Sequence, residues 1–342
     1  MIFYDSIKHK FLKHTNKKKF FLFVNICFLN ILFYIIINFR NIKKENKYII
    51  YKQIKLDYEN NKFAIIRDKC KCCGLFAFYK HFLGCLVTFI NKGYIPIIDL
   101  SSFPNNINGF KINSINNNPW EYFFNQPYDY SLENVIKKAK NIEYFKCEYS
   151  ISFPKINSYL NNIIIDFWHN IAIKYIPIKF KIIKKAEITF KRLFKGSKNI
   201  LGILARGTDY ISFKPSKHPI PPKTIIMIKD IKEMEIKNKY DWFFLATEDD
   251  LIRLKFIKEF GNKLKYLIKY KYIKYNYKKK KLLCYNKNIS GNYEYIEIYL
   301  INIIILSKCM DFISARTSGA MGTFILSNGF RNIKIYFLGN YK

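Results

Sequence analysis

The chain has 342 residues, half of them hydrophobic, enough for two ordinary domains and incompatible with wholesale disorder. Its formal net charge of +34 points, taken alone, to nucleic acid or an anionic membrane. Lys, Asn, Ile, Tyr and Phe are in excess together while Arg is scarce, as when an AT-rich coding sequence writes Lys wherever a charge is tolerated. On that reading nucleic acid is not expected as a partner, and attraction to anionic lipid is.

Met1 to Lys19 is a basic tail ending in Lys17-Lys18-Lys19. Phe20 to Phe39 then runs without a charge and is long enough to span a hydrocarbon core. It lacks the small-residue cleavage site of a signal peptide. A transmembrane or membrane-docking helix is expected over 20–39, with a buried core helix as the plain alternative. Lysines flank both ends, so charge bias gives no orientation. Residues 40–61 read as a lysine-rich connector with a short strand near Tyr48 to Tyr51.

The eight cysteines include the cluster Cys70-Lys71-Cys72-Cys73, which lacks a second Cys or His pair at zinc spacing. Reduced, buried thiols are expected, with no metal site. The chain is also long enough to fold without a disulfide framework.

The first α/β unit is expected over 62–194. Phe63 to Ile66 reads as a strand, Cys73 to Gly84 as a glycine-bearing turn continuing into a helix, and Tyr94 to Leu100 as a buried strand. Gly74 and His81 belong to this turn region, where His81 is either a contact for an acceptor or a hydrogen-bonded structural histidine. Pro104 to Pro119 reads as a surface loop. The aromatic run Pro119 to Pro127 is either a wall for a sugar ring or, more commonly for such runs, core. Ser131 is placed to cap a short helix to Lys138. Ile156 to Phe194 reads as helix broken at Pro177, linking the two units.

The second unit, 195–342, carries the chemistry. Ile200 to Leu204 is an apolar run that ends in Ala205-Arg206-Gly207-Thr208-Asp209-Tyr210. Ligands of open α/β sheets bind outside the carboxyl ends of the strands, and an arginine there suits a phosphate through its paired donors. An Arg206–Asp209 pair tying down the loop is the structural alternative. Pro215 to Pro222 stiffens the following loop, with Lys217 and His218 in reach of an anion or simply exposed. Lys223 to Lys237 is expected to be helical. Tyr240 to Ala246 is the next strand, ending in Thr247-Glu248-Asp249-Asp250. Those acids also suit the start of the helix Leu251 to Phe260. Lys263 to Lys281 reads as a lysine-rich strand and exposed insertion. Tyr293 to Ser307 is an apolar helix, and Met310 to Ser314 a strand. That strand runs into Ala315-Arg316-Thr317-Ser318-Gly319, where backbone N–H groups at a helix start form an anion site beside Arg316. No Walker A spacing occurs. Ile333 to Leu338 is the last strand.

The ordered strand ends ARGTDY, ATEDD and SARTSG resemble those of the fucosyltransferase superfamily that includes nodulation and α-1,6-fucosyltransferases and protein O-fucosyltransferases. The resemblance covers the chain from about Cys70. It implies a GT-B architecture, two Rossmann-like domains facing across a cleft, behind the N-terminal hydrophobic helix. It implies inverting, metal-independent transfer of fucose from GDP-fucose to a glycan or glycolipid, with no cofactor. Arg206 matches the arginine on the donor diphosphate, with Gly207 and Thr208 beside it. Thr247, Glu248 and Asp249 match the motif near the nucleotide base. Arg316, Thr317, Ser318 and Gly319 match the phosphate-binding turn. Gly74, His81 and His218 fall to the acceptor side, and Asp209 is either the general base or the residue that orients Arg206.

The chain departs from the family at Ala205, where the α-1,6 enzymes carry a second Arg, and it ends soon after the last strand, so a C-terminal crossover helix is expected to be absent. In a bacterium, cytosolic donor supply would put the catalytic part on the cytoplasmic side of the membrane. The competing readings are a GT-B enzyme for another nucleotide sugar and a non-enzymatic basic membrane protein that binds anionic lipid or polysaccharide.

Overall fold

The computed structural model describes residues 56–67, 74–101, 118–147, 162–268 and 293–342, apart from the side chains of 162, 163 and 209. The segment Phe20 to Phe39, the connector to position 55, the Cys70 to Cys73 cluster and most of the Pro104 to Pro119 loop lie outside them. Among the described residues no helix is long and apolar enough to cross a membrane.

Two parallel sheets form the frame. The smaller consists of β1 (Lys62–Arg67), β2 (Ile95–Asp99) and β3 (Asn141–Lys146), in the order β2-β1-β3. The larger has β4 (Ile200–Leu204), β5 (Trp242–Ala246), β6 (Leu264–Lys265), β7 (Asp311–Ala315) and β8 (Asn332–Tyr336), in the order β6-β5-β4-β7-β8. From β4 the chain winds outward through β5 and β6, then crosses to the other side of β4 for β7 and β8. That reversal puts a topological switch point between β4 and β7, whose register pairs Leu204 with Ser314.

Residues on both faces of β4 are buried, so its sequence reads as an unbroken apolar run rather than an alternation. Leu201 and Ile203 pack on α6 (Thr224–Asn238) and α7 (Asp250–Phe260). Ile200 and Leu204 face a second core shared with α8 (Tyr293–Ser307) and α9 (Ser318–Leu326). That second core is continuous with the smaller sheet. It takes in Ala64 and Ile66 of β1, Ile98 of β2, most of α1 (Leu75–Asn91), and parts of α3 (Asn162–Tyr175) and α4 (Phe180–Phe194). The joint is close where Phe76 of α1 lies against Gly322 of α9, at a position no larger residue could occupy unmoved.

Several expectations are met locally. Ser131 Oγ accepts the Asn134 N–H at 3.2 Å and caps α2 (Leu132–Lys138). The helix broken at Pro177 is α3 followed by α4. Of the two readings of the aromatic run, core packing holds: Trp120, Phe123 and Phe124 are buried, and Trp120 stacks on Phe124 with centroids 4.3 Å apart.

One element was unforeseen and one expectation is corrected. β3 escaped the sequence reading because it is an edge strand whose exposed positions hide its apolar ones. The expectation of reduced thiols fails for Cys85 in α1 and Cys147 after β3, which form a disulfide. Their separation of 62 residues gave no hint; the packing of α1 on the sheet brings their Cα atoms to 6.2 Å, inside the disulfide range. Cys309 is a free, buried thiol as expected, and burial pushes its pKa well up.

Candidate functional site

The site is built at the carboxyl ends of β4, β5 and β7. After Leu204 the chain turns sharply through Ala205, Arg206, Gly207 and Thr208 before the four-residue helix α5 (Asp209–Ser212). Thr208 has φ +47°, a left-handed conformation that a β-branched residue rarely adopts. The acids at the end of β5 hold it there. Thr208 N–H donates to Asp249 Oδ2 at 2.8 Å, and its hydroxyl donates to Glu248 Oε1 at 3.1 Å. Gly207 N–H donates to the same Glu248 oxygen at 3.1 Å. Residue 207 has to be glycine, because an added Cβ would lie 2.6 Å from Ile252 Cδ1 and 2.8 Å from Asp249 Cβ.

Thr247, Glu248 and Asp249 are buried, and the last two face the Arg206 loop. Asp249, 1% exposed, caps α7 by accepting Leu251 N–H at 2.9 Å and Ile252 N–H at 3.2 Å. Thr247 Oγ1 accepts the Asp249 N–H. Asp250, the neighbouring acid, pairs with Arg253 on its own helix. The anticipated role of these acids at a helix start is met, and their second task is to fix the backbone of the Arg206 loop.

Arg206 rises from that loop 27% exposed. Its Nη1 is 3.4 Å from Glu248 Oε1, and its guanidinium lies over the Tyr210 ring, 4.7 Å from the centroid. The partner anticipated for it was Asp209; Glu248 is a partner it has in fact. Asp209 opens α5, and its side chain lies outside the described residues. On the far side of Tyr210 stands His218, edge-on with ring centroids 5.4 Å apart. His218 thus belongs to the Arg206 side of the molecule and not to the smaller sheet. Its ring Nδ1 meets Ser216 O at 3.0 Å, and its backbone carbonyl accepts the Tyr341 N–H.

The end of β7 supplies the second half. Ser314 Oγ donates to Leu204 O at 3.2 Å, which ties the ends of β7 and β4 together. Thr317 caps α9 by accepting the Ala320 N–H at 3.1 Å. The N–H groups of Ser318 and Gly319 then open the helix with no acceptor inside it, at its positive end. Arg316 donates to Asn340 Oδ1 at 2.7 Å, a contact with the chain's last residues that sequence reading missed. Those residues also pair with the proline-stiffened loop, through Lys217 N–H to Tyr341 O and Ile220 N–H to Gly339 O.

The two remaining candidates lie on α1. Gly74 is the exposed residue that begins the helix, next to the Phe76 contact with α9. His81 is two turns further in and 7% exposed. It is a buried helix residue, which favours the structural reading. Glu297 of α8 is paired away from the strand ends. It is buried between α8 and α4, where Lys185 Nζ donates to both of its oxygens at 2.8 Å. No group of acids, cysteines and histidines able to hold a metal ion occurs among the described residues.

The chain is similar to solved fucosyltransferase structures. Fucosyltransferase NodZ from Bradyrhizobium is 12% identical, over 82% of this chain and 97% of that one, with a TM-score of 0.46. POFUT1 in complex with GDP is 9% identical, over 82% and 99%, with a TM-score of 0.46. A variant of Arabidopsis thaliana FUT1 in complex with GDP is 8% identical, over 82% and 73%, with a TM-score of 0.44. No protein-family model and no curated protein matches the chain.

Proposed function

We propose that the chain is a glycosyltransferase that takes a GDP-sugar, GDP-fucose by the resemblance of its motifs, and transfers the sugar with inversion to a glycan or glycolipid acceptor. One observation carries this reading: the Arg206 loop follows β4 and α9 follows β7, and these neighbouring strands are tied at their carboxyl ends by Ser314 Oγ to Leu204 O. A diphosphate there would lie between a guanidinium, the Ser318 and Gly319 N–H groups and Arg316. Those fixed donors match the charge that grows on the leaving group as the anomeric C–O bond breaks. Donors held in advance where charge develops are usually the largest catalytic term. The acceptor oxygen forms the new bond from the opposite face, its proton passes to a base, and GDP departs. With two arginines and a helix terminus facing the diphosphate, the reading needs no metal to balance its charge.

Glu248, Asp249 and the left-handed Thr208 position the Arg206 loop in this scheme. Asp209 is either the general base or a residue that orients Arg206. Asp209→Asn should lower turnover while GDP affinity stays within a few-fold if it is the base, and should lower GDP affinity if it orients. The two halves of the chain correspond, on this reading, to an acceptor-side domain over 62–194 and a nucleotide-sugar domain over 195–342.

Titration of the full chain with GDP tests the reading. A saturable site is expected, and its absence would favour a basic membrane protein that binds anionic lipid or polysaccharide. A hydrolysis screen across GDP- and UDP-sugars then selects the donor. Membrane association through 20–39 belongs to the same proposal, and recovery of the full chain without detergent would count against it. Cytosolic donor supply favours a catalytic part on the cytoplasmic side. The Cys85–Cys147 bridge favours an oxidising compartment instead. Protease protection in intact cells, with thiol alkylation of both cysteines, separates the two.

A further inference from the structure

Tyr299 is a residue of the apolar helix α8 that no motif marks. It lies about two turns before the helix ends, close to Leu204 at the end of β4. Its hydroxyl reaches the start of α9: a Cβ built on Gly319 would be 2.8 Å from Tyr299 Oη. A side chain at 319 would have to displace the phenol. The ring is held from the other side by Phe76 of α1, edge-on with centroids 5.8 Å apart.

The surroundings of this hydroxyl are those of the donor site. Arg206, Glu248 and Tyr210 are all near enough to act on it electrostatically. Burial pushes its pKa well up, with Arg206 drawing it partly back, so the phenol keeps its proton at neutral pH and is available as a donor. Among the described residues none offers Tyr299 Oη a hydrogen bond. Tyr299 is half-buried, so its hydroxyl is open to a partner other than protein: water, or a ligand in its place.

We propose that the Tyr299 hydroxyl donates a hydrogen bond to the diphosphate of the nucleotide-sugar donor, beside the Ser318 and Gly319 N–H groups and across from Arg206. The inference rests on the donor reading given above and adds to it a ligand contact from the helix that precedes β7. It also gives the phosphate-binding turn a side-chain donor whose partner is an anionic oxygen, the kind of hydrogen bond that is stronger than a neutral pair.

The test is isothermal titration of the full chain and its variants with GDP. Tyr299→Phe removes only the hydroxyl and keeps the contact with Phe76. GDP affinity should fall about ten-fold. Tyr293→Phe, on the same helix but bonded to Glu297, should leave affinity unchanged. If the parent chain binds GDP and Tyr299→Phe binds it equally well, this inference is overturned while the donor reading stands. If the parent chain does not bind GDP, the donor reading fails first. A second measurement tests the placement of the hydroxyl without any ligand. Gly319→Ala should lower the melting temperature more in the parent background than in Tyr299→Phe, where the space is free. Equal losses in the two backgrounds would overturn it.

Discussion

The two edges of the larger sheet use the same residue types to opposite ends. At the amino edge, Arg331 closes on Asp311 with Nε to Oδ1 at 3.0 Å and Nη2 to Oδ2 at 2.9 Å. Tyr240 and Asn332 donate to the same fully buried carboxylate, and Arg331 reaches Asn199 as well. Arginine and acid neutralise each other there, and with their partners lock the starts of four strands. At the carboxyl edge, Glu248 spends its oxygen on the backbone of Gly207 and the hydroxyl of Thr208, and Arg206 stands off at 3.4 Å. The acid holds the loop, and the loop presents the arginine over Tyr210. A carboxylate that grips the backbone carrying an arginine leaves a site; one that grips the guanidinium itself leaves a clamp.

The contrast can be broken at either edge. The largest effect is expected at Arg206. Arg206→Lys keeps the charge but loses the paired donors, and turnover should fall on the order of 100-fold or more. Its thermal melt should match the parent, because the side chain makes the site and not the core. Near-normal transfer activity in this variant would remove the residue on which the functional reading stands.

Arg331→Ala should show the reverse. It leaves Asp311 buried without its cation, and stability should fall by about 2–3 kcal/mol, the lower range for a pair whose arginine is half exposed. GDP affinity per folded molecule should not change. Denaturant melts beside GDP titrations of both variants would expose any mixing of the two roles.

A smaller effect is expected with pH. Burial alone would raise the pKa of Asp311, but hydrogen bonds from Arg331, Tyr240 and Asn332 outweigh it and hold the carboxyl below its usual range. A group depressed in the folded state contributes stability that is complete above its unfolded pKa, about 4, and is lost as pH falls through the folded value. The melting temperature should therefore drop in acid, and less steeply in Asp311→Asn. An equal acid slope in both would remove the clamp from the pH response.

Much of the frame was legible because its signals are local. Strands β4, β5 and β7 are buried on both faces, and such strands show as short apolar runs that stop at polar residues. The break at Pro177 and the caps at Ser131 and Asp249 follow from the chemistry of one or two residues. β3 was missed because an edge strand that exposes most of its positions carries no such pattern.

The candidate site was legible as a set of motifs and not as a set of contacts. Arg206 and the turn before α9 could be named from sequence, since arginine, small residues and hydroxyls at strand ends have few other uses. That Glu248 and Asp249 face the Arg206 loop, that His218 sits against Tyr210 and that His81 is buried depend on side-chain direction across 41, 8 and more residues of chain. Tyr299 carried no signal, because a tyrosine in an apolar helix reads as core.

By itself, then, the sequence determined which segments become strands and helices and which strand ends are polar, because hydrophobic runs, prolines and capping residues act over a few positions. Only the tertiary structure decided which polar ends meet. The order β6-β5-β4-β7-β8 makes Leu204 and Ser314 neighbours although 110 residues separate them. The same packing brings Cys85 to Cys147 and the Tyr299 hydroxyl to Gly319. Those meetings are set by the sum of apolar burial over the whole core, and no short stretch of chain records that sum.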